Sequence, residues 1–231
     1  MIAVLRSDSM PQSSLPPAQF DLVALARQEM TDQGFQPDFP ADAQQQLAGI
    51  YAASNDNEAK REIIRSLAVS KARDPLFNLA KNEKDEGLRT EAIRQLGAMK
   101  ATDQLIQLYA SETSADNRIQ IVRSLFAAGA SDKLLDLVRN EKDPQVRNEG
   151  IRALAMSRSI APETLASLYA AGADPRAKRE LINSLHQRGD AKTMVDLARK
   201  ETDPAMKKYI VQGLGTMKNK EATDYMMELL K

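Results

Sequence analysis

The chain has 231 residues, of which 42% are hydrophobic, only 4% aromatic and none Trp, so its core is built from aliphatic side chains and Ala rather than from rings. Lys+Arg and Asp+Glu both number 32, and a formal net charge of zero argues against a chain whose main work is gripping a phosphate backbone. With no Cys and a single His, disulfides, thiol nucleophiles and multi-histidine metal sites are excluded.

Residues 1–19 are rich in Ser, Pro and Gln, lack apolar periodicity and read as a mobile leader. The apolar start, Met1 to Leu5, is too short for a signal-peptide core and is followed at once by Arg6. Residues 20–40 read as an amphipathic helix from about Phe20 to Met30 and a Gly/Pro connector from Gly34 to Pro40. No apolar run approaches the ~18 residues of a membrane span, so the sequence reads as a soluble chain.

From residue 41 to 231 one unit recurs. Its clearest copy is Asp143-Pro144-Gln145-Val146-Arg147-Asn148-Glu149-Gly150-Ile151-Arg152-Ala153-Leu154. The Ile or Val recurs at Ile64, Ile93, Val122, Ile151, Ile182 and Val211, spaced 29, 29, 29, 31 and 29 residues apart, with a Leu three residues after each. Six such copies define a repeat array. The first position of each, Asp56, Asp85, Ser114, Asp143, Asp174 or Asp203, is a preferred helix N-cap, and Pro144, Pro175 and Pro204 stand where a missing N–H costs nothing. A turn such as Gly129-Ala130 or Gly189-Asp190 leads into a second helix striped by Leu76/Leu79, Leu105/Leu108, Leu134/Leu137, Leu165/Leu168 and Met194/Leu197. Leu47/Ile50 and Met226/Leu229 extend that register at the two ends. One narrow apolar stripe cannot hold a helix pair together, so neighbouring pairs must stack. The fold class is all-α.

Three polar series run through the copies. Position five is always basic: Lys60, Arg89, Arg118, Arg147, Lys178 and Lys207. Position seven is Glu62, Glu91, Gln120, Glu149, Glu180 and then Tyr209, and position ten is Arg65, Arg94, Arg123 and Arg152, ending in Asn183 and Gln212. Positions seven and ten are three apart and face the same side of a helix. Tyr51, Tyr109 and Tyr169 sit at matching places on the leucine-striped helices and read as packing residues with wet hydroxyls. His186, near a helix end, reads as a surface residue, and the C-terminal cluster Met226, Met227, Leu229 and Leu230 as a short, weakly capped amphipathic helix.

The motif Asp-Pro-x-Val-Arg-x-x-x-Ile-x-x-Leu, with its leucine-striped second helix, resembles the HEAT family and, more narrowly, the short repeats called PBS-lyase HEAT-like. Stretches such as Leu197 to Pro204 and Lys220 to Tyr225 are also similar in style to bacterial HEAT-repeat proteins of unassigned function. The resemblance implies a right-handed α–α superhelix of about six helix pairs. The sequence leaves the compartment open between a bacterial cytoplasm and, if a leader is removed from a longer precursor, the periplasm. The resemblance implies that each position-five cation pairs with a cap Asp in the same or the next repeat, a structural ladder of Asp56, Asp85, Asp143, Asp174 and Asp203 with Lys60, Arg89, Arg118, Arg147, Lys178 and Lys207. It also implies that the capped helix lines the concave side, so that Arg65, Arg94, Arg123, Arg152, Glu62, Glu91, Glu149, Glu180 and Tyr209 form a candidate partner-binding stripe.

No glycine-rich phosphate loop, nucleophile elbow or His-Glu-x-x-His occurs, so no catalytic residue, metal ligand or cofactor is expected. The expected function is a non-catalytic scaffold that receives a partner protein or peptide. The alternative is nucleic-acid binding, against which stands the alternation of Glu with Arg. A third reading, an accessory of a bilin-lyase-like enzyme, follows from the repeat family's name alone.

Overall fold

A computed structural model of the chain describes residues 41–231. The leader and first helix expected over residues 1–40 lie outside the described residues. The described residues hold thirteen helices and no strand, an all-α solenoid of stacked helix pairs. The leading helix α1 (Ala41–Ala53) is followed by the pairs α2 (Asn57–Val69) and α3 (Arg73–Asn82), α4 (Glu86–Ala98) and α5 (Thr102–Ser111), and α6 (Ala115–Ala127) and α7 (Ser131–Asn140). Then come α8 (Pro144–Met156) and α9 (Pro162–Ala170), α10 (Pro175–Gln187) and α11 (Ala191–Lys200), and α12 (Pro204–Thr216) and α13 (Lys220–Glu228).

Every first helix of a pair has 13 residues, the same signal starts each one, and four of the six stop in the same way. Asp56, Asp85, Ser114, Asp143, Asp174 and Asp203 each accept a first-turn amide, pairing a donor the helix itself leaves unsatisfied. At the other end, Lys71, Lys100, Gly129 and Gly189 turn left-handed. The next residue's N–H then reaches back to the Leu carbonyl five residues earlier, as from Ala72 to Leu67 and from Ala130 to Leu125, which closes a Schellman turn.

The core is the Leu row of the capped helices. Leu67, Leu96, Leu125, Leu154, Leu185 and Leu214 have no solvent exposure, and Leu76, Leu105, Leu134, Leu165 and Met194 of the second helices meet them. Each such burial is worth about 1.5–3 kcal/mol. The capped helices pack on one another along the array more extensively than the leucine-striped helices do. At the ends the stripe surfaces: Ile50, Met227, Leu229 and Leu230 are exposed.

The irregular spacing of 31 has a definite place. Its two extra residues enlarge the turn between α8 and α9, and Ile160 of that turn is buried. Arg188, from the next turn along the stack, donates to the carbonyls of Ser157 and Ile160 and clamps the insertion. No described helix is long and apolar enough to cross a membrane.

Candidate functional site

Among the described residues no position-five cation forms an ion pair with a cap aspartate, whose Oδ1 accepts first-turn amides. Two of these cations instead bind a glutamate at the end of the following leucine-striped helix. Arg118 binds Glu141 at 2.5 Å and Lys178 binds Glu201 at 3.0 Å. Lys60, Arg118 and Lys178 also lie over the rings of Tyr51, Tyr109 and Tyr169, at 5.0, 4.5 and 4.5 Å from the centroids. The hydroxyls expected to be wet donate to glutamates at this same place in the repeat: Tyr51 to Glu83 at 2.5 Å, Tyr109 to Glu141 and Tyr169 to Glu201. Each glutamate's other oxygen accepts the backbone N–H of the next cap residue, as from Asp85 to Glu83 and from Asp143 to Glu141.

Where the glutamate is missing, the amide is still satisfied. Ser54 accepts from Asp56, and Asn148 from Asp174. These glutamates were not singled out in the sequence. Their signal is a Glu two residues before the cap, at Glu83, Glu112, Glu141 and Glu201. Arg89, Arg147 and Lys207, in the intervening repeats, have no ion pair among the described residues. The Nε of Arg89, Arg118 and Arg147 is buried without a partner.

The Arg/Glu stripe lies on the capped helices and is not a uniform ladder. Glu91 is shared by Arg94 at 2.9 Å and by Arg65 of the preceding repeat at 3.7 Å. The arrangement repeats 58 residues on, where Glu149 receives Arg123 at 2.7 Å and Arg152 at 2.5 Å, one on each oxygen. Burial by itself would raise the Glu149 carboxyl, but the two guanidiniums outweigh it and hold the group below the usual range. Arg65 also binds Glu62, and Arg152 also meets the cap Asp174 at 3.7 Å.

The two kinds of charge sit at different depths. The Glu91 and Glu149 side chains are 9% and 17% exposed, whereas Arg65, Arg94 and Arg123 are 49%, 67% and 55% exposed. Glu62, at 51%, is as exposed as Arg65, and Arg152, at 22%, is largely covered. An open groove between α2 and α4 is lined by Glu58, Arg61, Arg65, Thr90, Glu91 and Arg94.

In the last two repeats the stripe changes character. The Tyr209 hydroxyl donates to Asn183 at 2.6 Å, with Arg179 over its ring at 5.7 Å, while Gln212 and Glu180 are exposed. His186 is half-buried, with its Nε2 2.8 Å from the Thr216 hydroxyl. Among the described residues no group of three or more His, Asp or Glu could hold a metal ion.

Fold and site together define a helical-repeat protein, an α-solenoid of short capped helix pairs. The chain matches no known protein-family profile and no curated protein. Among solved structures it is similar to the complex of CpcE and CpcF of phycocyanin lyase from a Nostoc species, at 18% identity and a TM-score of 0.39, over 98% of this chain and 97% of that one. It is also similar to a computationally designed self-assembling cyclic homooligomer, at 16% identity and a TM-score of 0.16, over 82% and 70% of the two chains. The solenoid assignment rests on the helices themselves.

Proposed function

We propose that the protein is a non-catalytic binding scaffold whose capped helices present their common face to a partner protein or peptide. The observation that carries this reading is the run of three exposed guanidiniums, Arg65, Arg94 and Arg123, over the sunken carboxylates of Glu91 and Glu149. Closer packing among the capped helices is what the inner row of a curved stack requires, and a concave inner face is how such arrays enclose a partner. Arg is enriched among residues that dominate interface energies, and Glu is not.

The test compares partner recovery by the wild-type chain with that by a variant carrying Arg94→Glu, Arg123→Glu and Arg152→Glu, using crosslinking followed by capture. Circular dichroism confirms that the helices persist. Recovery lost in the variant supports the reading; equal recovery removes this face as the binding surface.

A further inference from the structure

Each arginine of the stripe has an apolar neighbour four residues later, at the last position of its helix. Arg65 is followed by Val69 and Arg94 by Ala98. Arg123 is followed by Ala127 and Arg152 by Met156. All four apolar residues are exposed, Val69 by 50% and Met156 by 64%. Residues four apart on a helix stand side by side, so two parallel rows cross four consecutive repeats, one of guanidiniums and one of apolar side chains. Both rows then stop together. The equivalent pairs in the last two repeats are Asn183 with Gln187 and Gln212 with Thr216.

The distance between rungs fixes the occupant's shape. Packed helices lie about 8–10 Å apart, which sets the spacing of successive arginines. A polyproline II segment advances ~3.1 Å per residue with three residues per turn, so every third side chain lies on one face, about 9 Å from the last. An extended β-strand alternates its side chains and cannot present every third one to the same side.

We infer that the paired rows are a recognition track for an acidic segment in polyproline II conformation, with a carboxylate at every third residue set against the arginine row and small apolar residues set against the Val69–Met156 row. Four rungs take about ten residues of such a segment. The carboxylates under the track preorganise it: Glu91 and Glu149 hold two arginines each, and Arg65, Arg94 and Arg123, 49%, 67% and 55% exposed, keep N–H groups for the incoming carboxylate, while Arg152, bound to Glu149 and Asp174, ends the row. A phosphate backbone matches the arginines alone and has nothing to set against Val69 and Met156. This inference rests on the scaffold reading and names the chemistry of its partner.

The experiment measures fluorescence anisotropy of a labelled peptide of Glu-Ala-Pro repeated four times, at low salt. Its comparisons are Gln-Ala-Pro repeats, a peptide of the same composition with its glutamates clustered, and a single-stranded DNA oligonucleotide. The regular acidic peptide is expected to bind most tightly. Arg94→Gln with Arg123→Gln should weaken it about tenfold, the combined effect of two exposed charge pairs. Equal binding of the glutamine or clustered peptide, preference for the DNA, or indifference to the two substitutions overturns the track. If the regular peptide fails while captured partners still depend on Arg94, Arg123 and Arg152, the track falls and the scaffold reading stands.

Discussion

The hydroxyl of Tyr109 donates to Glu141, 32 residues further along the chain, and Arg118 closes the group by stacking on the ring and binding the same carboxylate. Tyr51 with Glu83 and Tyr169 with Glu201 repeat the bond at the same separation. In the repeats between, the tyrosine's place is taken by Ala80, Val138 and Ala198. The arginine brackets on the opposite helices also recur after two repeats. The mechanical unit of this array is therefore a double repeat. Each Tyr–cation–Glu group ties three successive helices and anchors the cap of a fourth.

Removing Glu141 strands a cation. The Glu141 side chain is 1% exposed and that of Arg118 25%, so Glu141→Ala leaves a guanidinium largely desolvated and should cost about 3–5 kcal/mol. Tyr109→Phe deletes only one hydrogen bond and should cost about 1–2 kcal/mol. Urea unfolding measures both. Because each repeat touches only its neighbours, a break at the centre of the array should also split the single transition into two for Glu141→Ala. Equal costs for the two variants would remove the argument.

Acid should loosen the groups built on Glu201 and Glu83. Burial would raise the Glu201 carboxyl, but the Tyr169 hydroxyl, the Asp203 amide and Lys178 more than reverse it and bring it to about 2. Glu83 is lowered in the same way, against its burial, by Tyr51. A carboxyl more acidic in the folded than in the unfolded chain binds fewer protons when folded. Its contribution is whole above the ordinary value of 4.5 and fades as the pH falls toward 2. Thermal melts of Glu201→Gln should show lower stability than wild type at pH 7 and a shallower loss below pH 4.5. Parallel curves would contradict the assignment.

The period, the caps and the buried Leu row were legible in the sequence because each is a residue type at a fixed offset within one copy. Asp143 caps its own helix, and Leu96 fills its own repeat. Bonds that cross copies were not legible. Tyr109 and Glu141 are separated by a repeat boundary, and the Glu series is interrupted at Ser54 and Gly172. The sequence offers Arg65 both Glu62 and Glu91, and only packing shows that Glu91 is the sunken one shared by two arginines. Arg188 left no pattern, since its acceptors are backbone carbonyls of an inserted turn.

Two glycines mark close approaches that respond differently to substitution. A Cβ on Gly97 would lie 2.9 Å from both the Cβ and the carbonyl oxygen of Ser124, so the clash is with the backbone of α6. A Cβ on Gly150 would lie 2.2 Å from a Val138 methyl, which is side chain. Both Gly97→Ala and Gly150→Ala should cost about 1–3 kcal/mol in urea unfolding. Adding Val138→Ala should restore most of the Gly150→Ala loss, whereas Ser124→Ala should do little for Gly97→Ala. Rescue at both sites, or at neither, would overturn the contrast.

The turn after α4, like the turn after α2 at Lys71, carries a strain that two later copies avoid with glycine. Lys100 has φ of 53°, in the left-handed region, where Gly129 and Gly189 stand in later copies. The conformation is enforced from both sides: the Lys100 N–H is bound to the Gly97 carbonyl at 3.0 Å and the Ala101 N–H to that of Leu96 at 2.9 Å. A Cβ in this region costs about 1–2 kcal/mol. Lys100→Gly removes that cost but adds freedom to the unfolded chain, worth about 0.5–1 kcal/mol in the opposite direction. The difference favours the glycine, so Lys100→Gly should raise stability by about 0.5–1 kcal/mol, or ~1–4 °C in melting temperature. Gly129→Ala should lower it by a similar amount, since it adds the strain that Lys100→Gly removes. Calorimetry of the two variants checks the pair: opposite shifts are expected, and shifts of the same sign would mean that the backbone dihedral is not what decides this turn.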